Sequence, residues 1–426
     1  MNVDEDDHDS EATSAEPAGG KRRNLLILLD GTGNELGRNL SNVLKLYRIA
    51  QKNAHQLVYY NPGVGTISRI SPWRRWSQRV NGVLGLATGY GLDDNVLGAY
   101  RFLVQNWREG DRVFLFGFSR GAWTARVLAG LLHLIGLLRP EQLNMADSAL
   151  GTYKQSATDE DLSRSFHFRR VIGARHVPIH ALGVWDTVAS VIVPRPDRWY
   201  LPSLESLPYT LSNPSVQHVR HALAIDERRR MFRVAHWKSG QDYQPNPFSK
   251  AGSVPQDCRQ VWFAGVHSDI GGGYAEVDSA LSKIPLLWMI EEIKALGLRI
   301  NASMLGHLVH GKPRQGSKHS YVAPDPLGPI HDSLSGAWPL LEYLPKQTKW
   351  QEWPRDSWQG WYLPRAEPRA IPDDHEIHPS VFERMTGGIG YAPVNVAPRR
   401  MKPGDEASAD DAPRPPSGSR GDVTPP

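Results

Sequence analysis

The sequence predicts an α/β fold, a mainly parallel sheet with helices on both faces. Three observations lead there. Apolar runs of strand length alternate with stretches of helical period along the chain. The runs are continuous rather than alternating, as strands covered on both faces are. Each of four runs ends at a polar residue, Asp30, Ser119, Asp186 or His267, and in such sheets the carboxyl edge is where sites assemble.

The elements follow in order. Asn24–Leu29 reads as a buried strand, and Asp30-Gly31-Thr32-Gly33-Asn34 as the tight loop after it. Ser41–Lys52 carries a helical apolar face of Val43, Leu44, Leu46, Tyr47 and Ile49. Leu57–Tyr60 is a second strand, turned by Asn61-Pro62-Gly63. Asp93–Trp107 reads as an amphipathic helix capped by Asp93 or Asp94. Val113–Phe116 is a strand, followed at once by a helix over Ala122–Leu138. Ile179–Trp185 and Val261–Val266 are further strands, and Ser282–Ala295 a helix.

Residues 1–22 are rich in Asp, Glu, Ser, Ala and Gly, and 398–426 in Pro, Gly, Asp and Ser. Both are expected to be disordered tails, because neither buries enough apolar surface to offset the entropy of ordering. One domain is expected between them, over 23–397. Within it, 66–90 is a candidate lid or membrane-touching flap, with Trp73 and Trp76 among arginines; an insertion packed on the core is the other reading. Residues 195–215 and 323–375 read as loop-rich excursions.

A net charge of +4 on 426 residues is small, and no basic stripe with interleaved aromatics suggests a nucleic-acid partner. The single cysteine, Cys258, excludes an internal disulfide and a cysteine-based zinc cluster. The N-terminus lacks the pattern of a signal peptide, and the longest apolar run, Val127–Leu138, is interrupted by His133 and too short to span a bilayer. A soluble, cytoplasmic protein is expected, with export by a signal-independent system compatible with the same sequence.

Residues 117–121 spell Gly-Phe-Ser-Arg-Gly between an apolar strand and an Ala-rich helix. This is how a nucleophile elbow is written: a strained turn with the nucleophile at its tip. Gly117 and Gly121 omit the Cβ atoms that would collide where strand and helix back onto each other. Ser119 is the candidate nucleophile. The Arg120 N–H, opening the helix, is one candidate oxyanion donor, and Gly31 or Thr32 supplies the second. A serine nucleophile needs a base and an acid that orients it. Asp186 is the acid candidate, with a strand-end helix cap over Thr187–Ile192 as its other reading. His267 is the base candidate, one of sixteen histidines but placed at a strand end before flexible glycines. His331 competes for the base and Asp269 for the acid. Asp30 braces its loop, hydrogen-bonds the elbow, or simply forms its turn.

Other chemistries compete. Asp30-Gly-Thr-Gly-Asn is similar to the phosphate loops of actin-like ATPases and aspartyl-phosphate hydrolases, but the latter need an aspartate at position 32, where threonine stands. No Gly-Lys-Ser or Gly-Lys-Thr follows a glycine-rich turn. A metal-dependent hydrolase would draw on His267, Asp269, His331, Asp332 and the His375/His378 pair, although Pro372 and Pro379 bracket that pair. A binding module on a hydrolase scaffold is the non-catalytic reading.

Five segments in order carry a family resemblance: Leu29–Asn34, Gly89–Asn95, Gly117–Ala122, Val184–Val188 and Gly265–Tyr274. Together they resemble a family of α/β-hydrolase domains that includes the catalytic domains of type VI secretion phospholipase effectors. The resemblance runs from about Asn24 to about Val396 and implies an α/β-hydrolase domain with a Ser–Asp–His esterase site. By position it makes Ser119 the nucleophile, Asp186 the acid and His267 the base. It implies an ester substrate and, by the family's better-known members, a phospholipase acting at the sn-1 or sn-2 ester of a lipid. Transient contact with a membrane surface is a further expectation, through the flap at 66–90, and no cofactor or metal is implied. The effectors carry an extra module for membrane placement, and this chain is expected to end soon after the hydrolase core.

Overall fold

In β1, Asn24–Leu29, every side chain is buried, and successive residues serve opposite faces. Leu25, Ile27 and Leu29 pack into one apolar layer, Leu26 and Leu28 into the other. A strand buried on both faces belongs inside a covered parallel sheet. The computed structural model describes residues 22–31, 39–63, 91–158, 161–188, 192–194, 202–204, 207–246, 251–335 and 338–396. The expected tails (Arg22 apart), Thr32, the flap at 66–90 and 195–201 of the first proline-rich excursion lie outside them.

Six further strands join β1: β2 Gln56–Asn61, β3 Arg112–Phe118, β4 Ile179–Trp185, β5 Val216–Ala224, β6 Asp257–Phe263 and β7 Glu376–Ile377. Their spatial order is β7-β6-β5-β4-β3-β1-β2, and every pairing is parallel. One layer holds α2 (Leu92–Asn106), α3 (Arg120–Leu134) and α4 (Ala146–Thr158), with α5 (Ser163–Ile172) packed on α4. The other layer holds α1 (Asn42–Ile49), α6 (His267–Gly271), α7 (Lys283–Ala295) and α8 (Ala302–Leu308). The chain runs from β1 outward to β2, then returns to β3 on the far side of β1. That reversal opens a crevice at the carboxyl ends of β1 and β3, the usual place for a site in such sheets.

The expected elements recur with shifted ends. The cap of α2 is Gly91 at φ +85°, not Asp93 or Asp94. Those carboxylates sit in the first turn, where they complement the helix dipole. The helix after the serine turn begins at Arg120, two residues earlier than its apolar face suggested, and ends at Leu134. β6 ends at Phe263, and the residues up to Val266 turn into α6. No helix follows Asp186 among the described residues: Val188 bridges to Val234, and Ile192–Pro194 pairs with Pro202–Leu204.

One central strand was not expected at all. β5 reads Val-Gln-His-Val-Arg-His-Ala-Leu-Ala, too polar to stand out as an apolar run. Its neighbours satisfy the polar groups. Arg220 is paired to Asp257 and Glu292, and His221 Nε2 accepts from the Thr187 N–H at 3.3 Å.

Lys45 in α1 is fully buried, and its Nζ lacks a hydrogen-bond partner among the described residues. Burial, followed by the nearby Lys283 charge, lowers its pKa to about 7. The unfolded chain therefore binds more protons than the folded one between about pH 7 and the ordinary lysine range. Stability should climb with pH across that window. Lys45→Met is expected to raise stability at pH 7 and flatten the climb, which urea unfolding at several pH values measures.

Candidate active site

Residue 119 joins β3 to α3 with φ +57° and ψ −122°, a conformation that side-chain-bearing residues rarely hold. Two packing contacts enforce it. A Cβ on Gly117 would lie 2.4 Å from the Gly121 carbonyl oxygen, and one on Gly121 only 2.1 Å from that of Leu29. Strand and helix touch backbone to backbone, so the turn is sharp and Ser119 occupies its tip. Its N–H donates to the Trp185 carbonyl at 3.2 Å, and its carbonyl accepts the first α3 bond from Trp123. Arg120 opens α3, at the positive end of the helix dipole.

Gly31 closes the other wall of the crevice. A Cβ there would stand 3.3 Å from the Ser119 Cβ. Its N–H donates to Asp30 Oδ1 at 2.8 Å. Asp30 Oδ2 accepts from the Ser41 hydroxyl and, at 2.9 Å, from the Tyr60 hydroxyl. The Ser41 oxygen also caps α1 by accepting from the Leu44 N–H at 3.0 Å. Asp30 thus ties the loop after β1 to α1 and β2.

Asp186 ends β4 beside that turn at φ +36° and is fully buried. Its N–H bonds the Ala222 carbonyl at 2.8 Å and fixes it to the end of β5. Oδ1 accepts from the Ala224 N–H at 3.1 Å and from Arg369 Nη1 at 2.6 Å. Oδ2 accepts from Arg369 Nη2 at 3.1 Å and faces His267 Nδ1 at 2.5 Å. Burial alone would push this carboxyl up. The Arg369 charge, then the His267 hydrogen bond, outweigh it and hold Asp186 well below the usual carboxylate range. An ionised carboxylate only accepts, so His267 Nδ1 donates this bond and Nε2 is the ring nitrogen not engaged by Asp186.

His267 opens α6 rather than closing a strand. Its ring packs on Phe118, the residue before the serine, at 4.7 Å between centroids, and edge-on against Phe232 at 4.8 Å. Its N–H donates to Glu227 Oε2 at 3.2 Å, and Glu227 is paired to Arg229 at 2.8 Å. The glycines after it serve packing. A Cβ on Gly271 would fall 2.0 Å from the Phe118 ring, so only glycine lets α6 press the imidazole onto the strand that carries the serine.

A second Asp–His pair lies beside the first. Asp269 Oδ1 meets His331 Nδ1 at 2.6 Å, while Oδ2 accepts from the Val266 N–H at 3.0 Å. His331 stacks on Tyr274 at 3.5 Å. Burial pushes Asp269 up, against those hydrogen bonds. The competitors named from sequence are therefore partners of each other.

The histidines considered for a metal are dispersed. His375 accepts from the Trp262 indole through Nδ1 at 3.0 Å and meets Gln260 through Nε2 at 2.9 Å. His378 caps α9 (Pro379–Thr386) through Nδ1. Among the described residues no three His, Cys, Asp or Glu side chains converge as a metal set.

Sequence reasoning missed Arg369. It is fully buried and also donates to the carbonyls of Ala224 at 3.0 Å and Phe232 at 2.5 Å. It sits in a proline-rich stretch without usable periodicity, and an isolated arginine there carries no signal of its own.

A parallel sheet in this order, with a serine on a strained strand–helix turn and an Asp–His pair at the same edge, defines an α/β-hydrolase-like fold. Residues 23–292 match the model of the type VI secretion system (T6SS) phospholipase effector, Tle1-like, catalytic domain, and the chain belongs to that family. An uncharacterised protein of Saccharomyces cerevisiae is 32% identical over 226 residues, covering 50% of this chain and 32% of its own. The chain thus spans about a third of that relative's length. Among solved structures, an uncharacterised Pseudomonas aeruginosa protein aligns with TM-score 0.33 and 17% identity over 66% of this chain and 47% of its own. The butyrate-bound Thermogutta terrifontis esterase Est2 aligns with TM-score 0.31 and 15% identity over 66% of this chain and 87% of its own. No helix among the described residues is long and apolar enough to cross a membrane.

Proposed function

We propose that the protein is a serine ester hydrolase of lipase or phospholipase type, working through Ser119, His267 and Asp186. The observation that carries this reading is the hydrogen bond from His267 to buried, ionised Asp186 at the edge where Ser119 occupies its strained turn. Membership of a family named for phospholipase effectors supports a lipid ester as substrate.

His267 Nε2 takes the Ser119 proton as Oγ bonds to the ester carbonyl carbon, and the carbonyl π pair moves to oxygen. The Arg120 N–H and the Gly31–Thr32 backbone stabilise that oxyanion. Collapse breaks the ester bond, and the leaving alkoxide receives the proton from His267. Water then adds to the acyl-enzyme, giving its proton to His267, and the carboxylic acid departs while Ser119 is reprotonated. Asp186 keeps the imidazole in one tautomer and stabilises its charged form. Arg369 acts on Asp186 and is a positioning residue. No step calls for a cofactor.

The Asp269–His331 pair has the same chemistry at 2.6 Å, and a variant set separates the two. With a soluble p-nitrophenyl ester, His267→Ala and Asp186→Asn should each lower kcat by about 10⁴-fold. His331→Ala should stay within roughly tenfold of wild type. The reverse ranking would transfer the base role to His331.

A further inference from the structure

The stretch 338–361 holds five of the fourteen tryptophans: Trp338, Trp350, Trp353, Trp358 and Trp361. Part of it forms a three-stranded antiparallel sheet, Lys346–Gln347, Ser357–Trp358 and Trp361–Tyr362. The last two strands make a hairpin whose loop is only Gln359-Gly360, at φ +46° and +78°. Positive φ at both loop residues is the tight turn whose twist suits a hairpin, and Gln359 accepts a left-handed conformation to make it.

Register decides what the hairpin presents. Trp358 lies directly opposite Trp361, so both indoles leave from one face. Tyr362 leaves from the other, where it is buried and bonds Glu367 and the Trp350 carbonyl. Lys346, opposite Tyr362, points inward and pairs with Glu367. The inward side chains are buried, while the outward indoles are 74% and 45% exposed. Leu340, Tyr343, Leu344 and Trp350 of the same stretch are also exposed.

This stretch adjoins the site. Trp338 meets Phe232 edge-on at 5.6 Å, and Phe232 is one of the two rings packed against His267. Arg230 reaches the Leu341 carbonyl at 3.2 Å, and Arg233 pairs with Glu352 at 2.8 Å.

We infer that the tryptophan-tipped hairpin Ser357–Tyr362 docks the protein on a phospholipid bilayer, holding the site beside Phe232 at the lipid surface. The chemistry selects this occupant. Tryptophan and tyrosine favour the membrane–water boundary, where an apolar ring carries a polar edge. Exposed Lys349 in the stretch and exposed Arg365 just beyond it suit lipid phosphates, beside one exposed acid, Asp356. Lys349 lies 5.4 Å over the Trp350 ring, so charge and aromatic surface are presented together. The purpose of docking rests on the lipid-ester reading above; binding itself is independent of it.

The test is co-sedimentation with vesicles of phosphatidylcholine, with and without phosphatidylglycerol, using the full chain carrying Ser119→Ala so that lipid is not consumed. Adding Trp358→Ala and Trp361→Ala should weaken binding by about tenfold or more. In the active protein the same pair should leave turnover of a dissolved short-chain ester within about twofold while hydrolysis of vesicle lipid falls. If the pair disturbs the fold by circular dichroism, Trp358→Ala alone decides, since that side chain is the more exposed. Unchanged vesicle binding overturns the inference. So does loss of self-association in sedimentation velocity with vesicle binding intact, which would give this face to a second copy. A failed esterase reading would show differently, as ester turnover that survives Ser119→Ala.

Discussion

Replacing Ser119 by alanine is expected to abolish ester turnover, with kcat lowered on the order of 10⁴-fold or more in a protein that still folds. The fold survives because the turn is set by backbone contacts of Gly117 and Gly121 rather than by the serine side chain. Alanine at φ +57° is no more strained than serine, so stability should change by less than about 1 kcal/mol. The measurement pairs a p-nitrophenyl ester assay with thermal unfolding. Activity within tenfold of wild type would move the nucleophile elsewhere, and a collapsed melting temperature would assign Ser119 a structural part.

Arg369→Met is the second large effect. It leaves Asp186 buried without its guanidinium partner, and breaking such a pair from one side costs about 3–5 kcal/mol. The loss should depend on pH with a definite sign. In the wild type the carboxyl is held below its unfolded value, so it contributes stability above the ordinary aspartate range, and that contribution fades as pH falls through the folded value. The variant's carboxyl rises, so the contribution at neutral pH vanishes. The gap between the two proteins should be widest near pH 7 and narrow below about pH 4. Urea unfolding across that range reads it. Arg369→Lys restores the charge without the two-pronged geometry and should recover part of both stability and turnover. A gap that does not vary with pH would mean that Arg369 acts through its bonds to the Ala224 and Phe232 carbonyls instead.

What could be read in advance follows one physical rule. Parallel strands buried on both faces must be apolar, so a polar residue ending one stands out, and Asp30, Ser119, Asp186 and His267 were visible for that reason. The rule fails where polarity is compensated at a distance. β5 was hidden because the groups satisfying Arg220 lie on Asp257 and Glu292. Arg369 was hidden because its partner lies 183 residues away in sequence. His267 opens a helix rather than ending a strand, and the run from Phe263 to Val266 does not show where a ladder stops. The hairpin at 357–362 escaped notice because its strands are two residues long, too short for any period.

The most direct measurement is mass-spectrometric mapping of a fluorophosphonate adduct on the wild-type protein. One adduct is expected, on the peptide carrying Ser119, lost in Ser119→Ala and formed far more slowly in His267→Ala. An adduct on another serine, with ester turnover inhibited in step with its formation, would contradict it.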